Sequence, residues 1–116
     1  KRGVKGEAML KTWLDRHDVK YQREEDLREK GGKTPDFLLN KKIYFRGEEV
    51  NWIESKGSFG DMREINKNLK KQLRSYREIF GPGMVLYWFG IVNDAPIEEG
   101  IVIETREVLE DHWDFN

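Results

Sequence analysis

The chain contains no cysteine. That excludes a disulfide-stapled scaffold and thiolate metal centres, and it suits a reducing, intracellular compartment: the cytoplasm of a prokaryote, or the nucleus or cytoplasm of a eukaryote. No apolar run reaches the roughly 18–20 residues a helix needs to cross a bilayer, so no membrane partner is expected. An initiating methionine and a secretory signal are also missing; the sequence opens at Lys1, as a domain cut from a longer protein would. Nor does one sign of charge dominate. With 21 Lys and Arg against 22 Asp and Glu the formal net charge is −1, so no global field draws nucleic acid and any basic surface has to be local. Only two glutamines stand among the many Lys and Glu, a thermophile-like balance. His17 and His112 have no metal-ligand spacing to each other or to an acid, and there are no repeats or low-complexity segments.

What is present is one core's worth of chain, 116 residues read as a single domain over 1–116, with 37% of them charged. Residues 6–16 carry Ala8, Met9, Trp13 and Leu14, with Leu10 beside them, at helical spacing; Glu7 lies in the first turn. Residues 19–22 read as a short strand and 24–33 as a polar connection closed by Gly31-Gly32. Two apolar runs, Thr34–Leu39 and Asn51–Gly57, then flank a turn near Arg46-Gly47-Glu48, which is a hairpin signal. Gly57–Gly60 reads as a tight loop, and Asp61 with Glu64 has capping-box spacing at the start of a helix over 62–80. On that helix Met62, Ile65, Leu69, Leu73, Tyr76, Ile79 and Phe80 share one side, while Arg63, Lys67, Lys70, Arg74 and Arg77 share the other. Gly81-Pro82-Gly83 stops it. Residues 84–92 form a near-continuous apolar strand, 93–100 a loop, 101–104 a further strand and 106–112 a closing helix.

The hairpin gathers ionisable groups. With the turn centred near Gly47, antiparallel register sets Asp36 about opposite Lys56 with Glu54 as a diagonal neighbour. Trp52, Glu54 and Lys56 share one face of their strand and Ile53 and Ser55 the other. Asp36, Glu54 and the Ser55 carbonyl offer hard oxygens suited to Mg²⁺, with Lys56 available to hold a water or a phosphate oxygen. The same triplet also fits a surface charge pair, and Asp18-Val19-Lys20 repeats the pattern without a partner; Pro35-Asp36, the only Pro-Asp in the chain, is what sets the hairpin apart. Gln72 sits inside the apolar arc of the long helix, one turn before Tyr76, where it is either a satisfied core amide or, with Tyr76, a group facing the hairpin site. Glu7 is either a first-turn acid or a third carboxylate aimed at that site. The basic stripe Arg63, Lys67, Lys70, Arg74 and Arg77 is either a solvated face or a phosphate track. Asp61 reads as a cap, and the four tryptophans as core or interface.

At these residues the chain resembles the PD-(D/E)xK nuclease superfamily: Pro35-Asp36 followed by Glu54-Ser55-Lys56 is similar to its signature, and Gln72-Leu73-Arg74-Ser75-Tyr76 to the Q-xxx-Y motif of its RecB-like members. A nearer likeness is to the TPD-motif family, which includes archaeal proteins and the vertebrate codanin-interacting nuclease, through Lys33–Phe37, Trp52–Asp61 and Phe80–Trp88. The resemblance implies an α/β, restriction-endonuclease-like fold. Its mixed central sheet of four to five strands would be flanked by helices, in the order α-β-β-β-α-β and then an extra strand and helix. It implies a Mg²⁺- or Mn²⁺-dependent DNA endonuclease, with branched four-way-junction DNA as a candidate substrate, Asp36 and Glu54 as ligands and Lys56 positioning water and phosphate. Gln72 and Tyr76 would be accessory, and Glu7 a ligand or a neighbour of one. It also implies helix-turn-helix segments ahead of the domain, a homodimer if the likeness to four-way-junction resolvases extends to assembly, and a protein partner. A catalytically weak or inactive module for DNA binding or partner recruitment, and an RNA-directed nuclease, are the other readings.

Overall fold

The long hairpin at the centre of the chain decides the register of everything around it. In the computed structural model, which describes residues 2–27 and 33–116, strands β2 (Phe37–Phe45) and β3 (Glu48–Lys56) are joined by Arg46 and Gly47. Both have positive φ, 50° and 82°, the geometry of a two-residue turn whose twist matches that of the strands. Beside the turn Phe45 pairs with Glu48, Tyr44 with Glu49 and Ile43 with Val50. Continued unbroken, that register would carry Asp36 close to Lys56, as the sequence suggests. It breaks instead between Leu38 and Ile43, so that residues 39–42 stand across from Asn51 alone; beyond the bulge Leu38 meets Trp52 and Phe37 meets Ile53. Asp36 therefore arrives beside Glu54, not Lys56. The bulge follows from competing partners. The Asn51 N–H and side-chain amide turn to the Pro82 carbonyl at 2.8 and 2.9 Å, while the Asn40 N–H reaches the Lys20 carbonyl at 2.9 Å.

Around this hairpin the sheet runs β1 (Tyr21–Arg23), β2, β3, β4 (Gly83–Tyr87), β5 (Ile101–Thr105), with the two-residue β6 (Trp113–Asp114) pairing β2 as well. β1, β2 and β3 are antiparallel; β3, β4 and β5 are parallel. The fold is thus a mixed α/β sheet, one strand richer than the four to five expected. The addition is β6, where the expected helix over 106–112 shrinks to a 3₁₀ turn, Arg106–Glu110. The Trp113 side chain is buried and its indole N–H meets the Val108 carbonyl at 2.8 Å, so the chain extends onto the sheet in place of another helical turn.

Alternation along the strands splits the core in two. Ile53, Met84 and Leu86 pack with Leu10, Trp13 and Leu14 of helix α1 (Arg2–Arg16) on one face. Trp52, Val85 and Tyr87 pack with Ile65, Leu69, Leu73 and Tyr76 on the other. Each of these fully buried large side chains contributes roughly 1.5–3 kcal/mol against exposure. Ala8 and Met9, placed on the α1 stripe by spacing, are exposed; the buried row is Gly6, Leu10, Trp13 and Leu14. The first strand begins two residues later than expected. A short helix α2 (Glu24–Leu27) takes up the start of the polar connection, whose remainder with Gly31-Gly32 lies outside the described residues.

The long helix over 62–80 is present as three continuous pieces: α3 (Met62–Asn68), a π turn (Leu69–Leu73) and α4 (Arg74–Phe80). Asp61 caps it, accepting from the Glu64 N–H at 2.8 Å, but Glu64 does not reciprocate; its carboxylate turns to Ser58 and Asn68. Met62 and Ile79, at the two ends of the apolar side, are 41% and 63% exposed because the sheet does not reach them. Gly81, at φ 92°, stops the helix, and Gly83 opens β4 under the Trp52 ring, where a Cβ would lie 2.1 Å from the indole. β4 ends at Tyr87, five residues short of the expected apolar strand, because the chain turns at residues 88–89.

Candidate active site

Asp36 and Glu54 meet at the end of the hairpin opposite its turn. The Asp36 N–H donates to Glu54 Oε1 at 2.9 Å, and the Ser55 N–H donates to Asp36 Oδ2 at 2.8 Å. β2 has not yet begun at this level, so an aspartate side chain takes the place of a ladder partner for β3. The N–H and carbonyl of a strand residue lie on the same edge, so the Ser55 carbonyl also faces the Asp36 side. The Ser55 side chain lies on the opposite face of the sheet, where its Oγ accepts from Trp88 Nε1 at 2.6 Å.

Lys56 extends the site along β3. Its Nζ lies 3.5 Å from Glu54 Oε2 and donates to Gln72 Oε1 at 2.5 Å. Gln72 reaches it from within the π turn, where the Arg74 N–H bonds back five residues to the Leu69 carbonyl. Such a turn inserts one residue into the helical repeat, a feature frequent where a helix presents a functional side chain. Tyr76 lies deeper, its ring edge-on to Trp52 with centroids 5.3 Å apart. Burial, then the charges of Glu54 and Asp36, raise its hydroxyl pKa far above the usual tyrosine range.

The two carboxylates are short of positive charge. Burial raises the Asp36 pKa, a nearby Glu7 charge adds to the effect, and the Ser55 N–H opposes it. Burial also raises Glu54, the Asp36 charge pushes it further, and the Lys56 ammonium only partly offsets this. A cation placed between them would favour both ionised forms. The donor set is two carboxylates with a backbone carbonyl alongside, oxygens that suit a hard divalent ion that keeps several waters. Among the described residues no group of three His, Cys, Asp or Glu side chains is arranged to hold a metal, so water and substrate oxygens would complete the shell.

Glu7 approaches from α1, which sits close to the sheet because Gly6 lies under Trp88; a Cβ there would stand 2.4 Å from the indole nitrogen. Its carboxylate is engaged, accepting from Arg23 Nη2 at 2.7 Å. Arg23 also donates from Nε to the Asp36 carbonyl at 3.1 Å and lies 4.2 Å from the centroid of the Phe37 ring. Sequence reasoning misses Arg23, because only the register of β1 on β2 brings it to the site. Asn68 is missed too, although a signal exists: Glu64, Asn68 and Gln72 follow at four-residue steps, a polar row on a buried face. Asn68 Nδ2 donates to the Tyr87 hydroxyl at 2.8 Å and to Glu64 at 3.3 Å.

The basic stripe is not a uniform cationic track. Arg74 forks onto Glu98 at 2.9 and 3.3 Å, and Arg77 bonds the same carboxylate at 3.0 Å and the Glu99 carbonyl at 2.7 Å. Lys67 lies 3.0 Å from Glu64. Arg63 and Lys70 are exposed and, among the described residues, pair with no carboxylate. The loop over 93–100, which the sequence leaves without a role, supplies the neutralising Glu98. A groove of about 610 Å³ along β5 and residues 91–100 includes none of the cluster residues. All four tryptophans are structural, each indole N–H donating to a protein oxygen: Trp13 to Leu109, Trp52 to Gly81, Trp88 to Ser55 and Trp113 to Val108. No helix of the described residues is long and apolar enough to cross a membrane.

Residues 1–107 match the family model described as "Protein of unknown function TPD sequence-motif". The chain is 42% identical over 105 residues to CDAN1-interacting nuclease 1 of Danio rerio, covering 88% of this chain and 35% of the relative. It is 40% identical over 105 residues to the Xenopus tropicalis protein of that name, covering 88% and 35%. To the Homo sapiens protein it is 39% identical over 105 residues, covering 88% and 37%. The chain spans about a third of the length of these relatives. No solved structure matches it.

Proposed function

The chain belongs to the TPD sequence-motif family, and from that premise we propose that it is a metal-dependent nuclease domain that hydrolyses phosphodiester bonds in DNA. The observation that carries this reading is the mutual hold of Asp36 and Glu54, two buried carboxylates from different strands interlocked through backbone N–H groups with Lys56 beside them. Relatives named as nucleases at about 40% identity support it. The wider assignment, to the PD-(D/E)xK superfamily and a restriction-endonuclease-like fold, is supported by the order of elements: a helix, three antiparallel strands, a long helix and a parallel strand.

In this reading Asp36, Glu54 and the Ser55 carbonyl hold Mg²⁺ or Mn²⁺, which when bound supplies Lewis-acid polarisation of the scissile phosphate. Lys56 places an ammonium where it can donate to the attacking water or to a phosphoryl oxygen. Gln72 fixes the Lys56 amine, and Tyr76 walls the carboxylates off from bulk water. Arg23 holds Glu7 in reserve beside Asp36, where the glutamate can join the cation or stay with the guanidinium. Arg63 and Lys70 are the exposed members of the stripe available to the phosphate backbone.

Incubation with plasmid, four-way-junction and RNA substrates in Mg²⁺ or Mn²⁺, in parallel with Lys56→Ala, tests this. Cleavage by the parent chain and loss in the variant is the expected result; equal cleavage by both would remove Lys56 from the site. The rival reading is a catalytically weak module for partner recruitment. The name of the relatives, which includes an interaction with CDAN1, favours it. Calorimetry with Mn²⁺ separates the two, since a recruitment module gives no heat at millimolar metal with or without DNA.

A further inference from the structure

Helix α1 and the 3₁₀ turn Arg106–Glu110 leave a groove of about 320 Å³ between them. None of the carboxylate-cluster residues lines it. It lies on the sheet face that carries α1, the face to which the Ser55 side chain points, whereas Glu54 and Lys56 leave β3 on the other face. Trp13 and Trp88 give it an aromatic floor, and both rings are fixed. Trp13 Nε1 donates to the Leu109 carbonyl at 2.8 Å, and Trp88 Nε1 to Ser55 Oγ at 2.6 Å.

The walls carry charge that the protein leaves unused. Arg16, in the last turn of α1, and Arg106, at the start of the 3₁₀ turn, both line the groove and are exposed. Among the described residues neither pairs with a carboxylate, unlike Arg23, Arg46, Arg74 and Arg77. His17, stacked on the Phe115 ring with centroids 4.5 Å apart, lines the groove beside Arg16. The one carboxylate in the lining is Glu110, also exposed and unpaired among the described residues.

We propose that this groove binds a nucleoside phosphate. Two guanidinium groups with no protein partner match phosphate oxygens in geometry and charge. A carboxylate only accepts hydrogen bonds, so Glu110 answers to the ribose hydroxyls and repels a phosphate placed beside it. The fixed indoles offer a flat apolar surface to a base and lose little freedom when one settles there. A bare anion would use the arginines alone and leave the floor and Glu110 without a role. The volume lies at the lower end of the range for small-molecule sites, about 300–1,000 Å³. The proposal stands apart from the nuclease reading, since the groove and the carboxylates share no residue.

The test is calorimetric titration of the intact chain in EDTA, so that no cation at Asp36 and Glu54 can hold a phosphate. The probes are ADP, 2′-deoxy-ADP, adenosine, inorganic phosphate and a 5′-phosphorylated single-stranded oligonucleotide. ADP is expected to bind, and adenosine and phosphate each to bind at least about 10-fold more weakly, since each lacks one half of the recognition. Arg16→Ala and Arg106→Ala should each weaken ADP roughly 10- to 150-fold, the worth of a hydrogen bond to a charged group. Their melting temperatures should match the parent's, because both side chains are exposed. The parent should prefer ADP to 2′-deoxy-ADP, and Glu110→Ala should lose that preference. No heat with millimolar ADP, or ADP binding that survives both arginine substitutions together, would overturn the proposal. So would equal affinity for phosphate and ADP, which would make the groove an anion patch only. Binding of the oligonucleotide without binding of ADP would also overturn it, since the arginines would then be a nucleic-acid contact.

Discussion

Asp36 and Glu54 brace the end of the sheet through each other: the backbone of the first donates to the carboxylate of the second at 2.9 Å, and the carboxylate of the first takes the N–H that follows the second at 2.8 Å. Each side chain is therefore a strand-pairing element and a candidate ligand at once. Glu54→Gln keeps an acceptor for the Asp36 N–H while removing a buried charge. Calorimetric melting at pH 8 without metal should show the variant more stable than the parent by a few °C, about what 1 kcal/mol is worth in a chain of this size. Nuclease assays should show it inactive.

The same pair sets a pH dependence. Asp36 is raised to about 6, with Glu54 raised as well, against unfolded values of about 4. The folded state then holds protons more tightly than the unfolded state does. The stabilisation this gives is fully present below pH about 4 and is lost as pH rises through about 6 and beyond. Melting temperature in EDTA should fall across that window, and millimolar Mg²⁺ or Mn²⁺ should restore it most at the alkaline end, where both carboxylates are ionised. A flat profile in EDTA would contradict the burial of the pair.

Lys56→Ala removes the amine that faces both Glu54 and Gln72. Cleavage should drop on the order of 10²–10³-fold, the usual loss for one positioned donor of this kind, with substrate affinity little changed. Gln72→Ala should give a smaller loss in the same direction, because it frees the Lys56 side chain without removing its charge. Single-turnover rates read both.

Glu98 holds Arg74 and Arg77 together. Glu98→Gln should release two cations, raise non-specific DNA affinity several-fold at low salt, and steepen the dependence of log K on log salt by up to about 2. An unchanged slope would show that this end of the helix never meets the phosphate backbone.

Gly83→Ala places a methyl group against the Trp52 indole, whose N–H is already committed to the Gly81 carbonyl at 2.7 Å. Gly6→Ala does the same against Trp88. Overpacking costs typically about 1–3 kcal/mol, so both should melt lower. Gly6→Ala should also impair activity more than its stability loss explains, because Trp88 bonds Ser55 at 2.6 Å and Glu7 follows Gly6 in the chain.

Much of this architecture is legible in the chain itself, for identifiable reasons. The hairpin turn at Arg46-Gly47, the Asp61 cap and the Gly81-Pro82-Gly83 stop are local, and local chemistry decided them. The split of β3 into a Trp52 face and an Ile53 face follows from strand geometry alone. What the chain hides depends on partners far away. Counting from the turn puts Asp36 near Lys56, because nothing in residues 39–42 announces that their backbone leaves β3 for β1. The π turn leaves no mark in a pattern of 3.6 residues per turn, yet Gln72 stands out in the sequence because an amide on an apolar side has to answer to something. Arg23, Glu98 and β6 all act through pairings with residues that lie well away in the chain, 13 or more positions for Arg23 and about 70 for β6.

The α1 layer carries a cost in time. Trp13 lies edge-on to Trp113 with centroids 4.9 Å apart and donates to the Leu109 carbonyl at 2.8 Å, and β6 closes beside the far end of β2. During synthesis, therefore, the first helix must wait with its tryptophan uncovered until some hundred later residues have left the ribosome. Contacts of such separation form slowly, so the emerging domain is a natural client for chaperones, and a translational stall ahead of residue 108 leaves a species prone to aggregate.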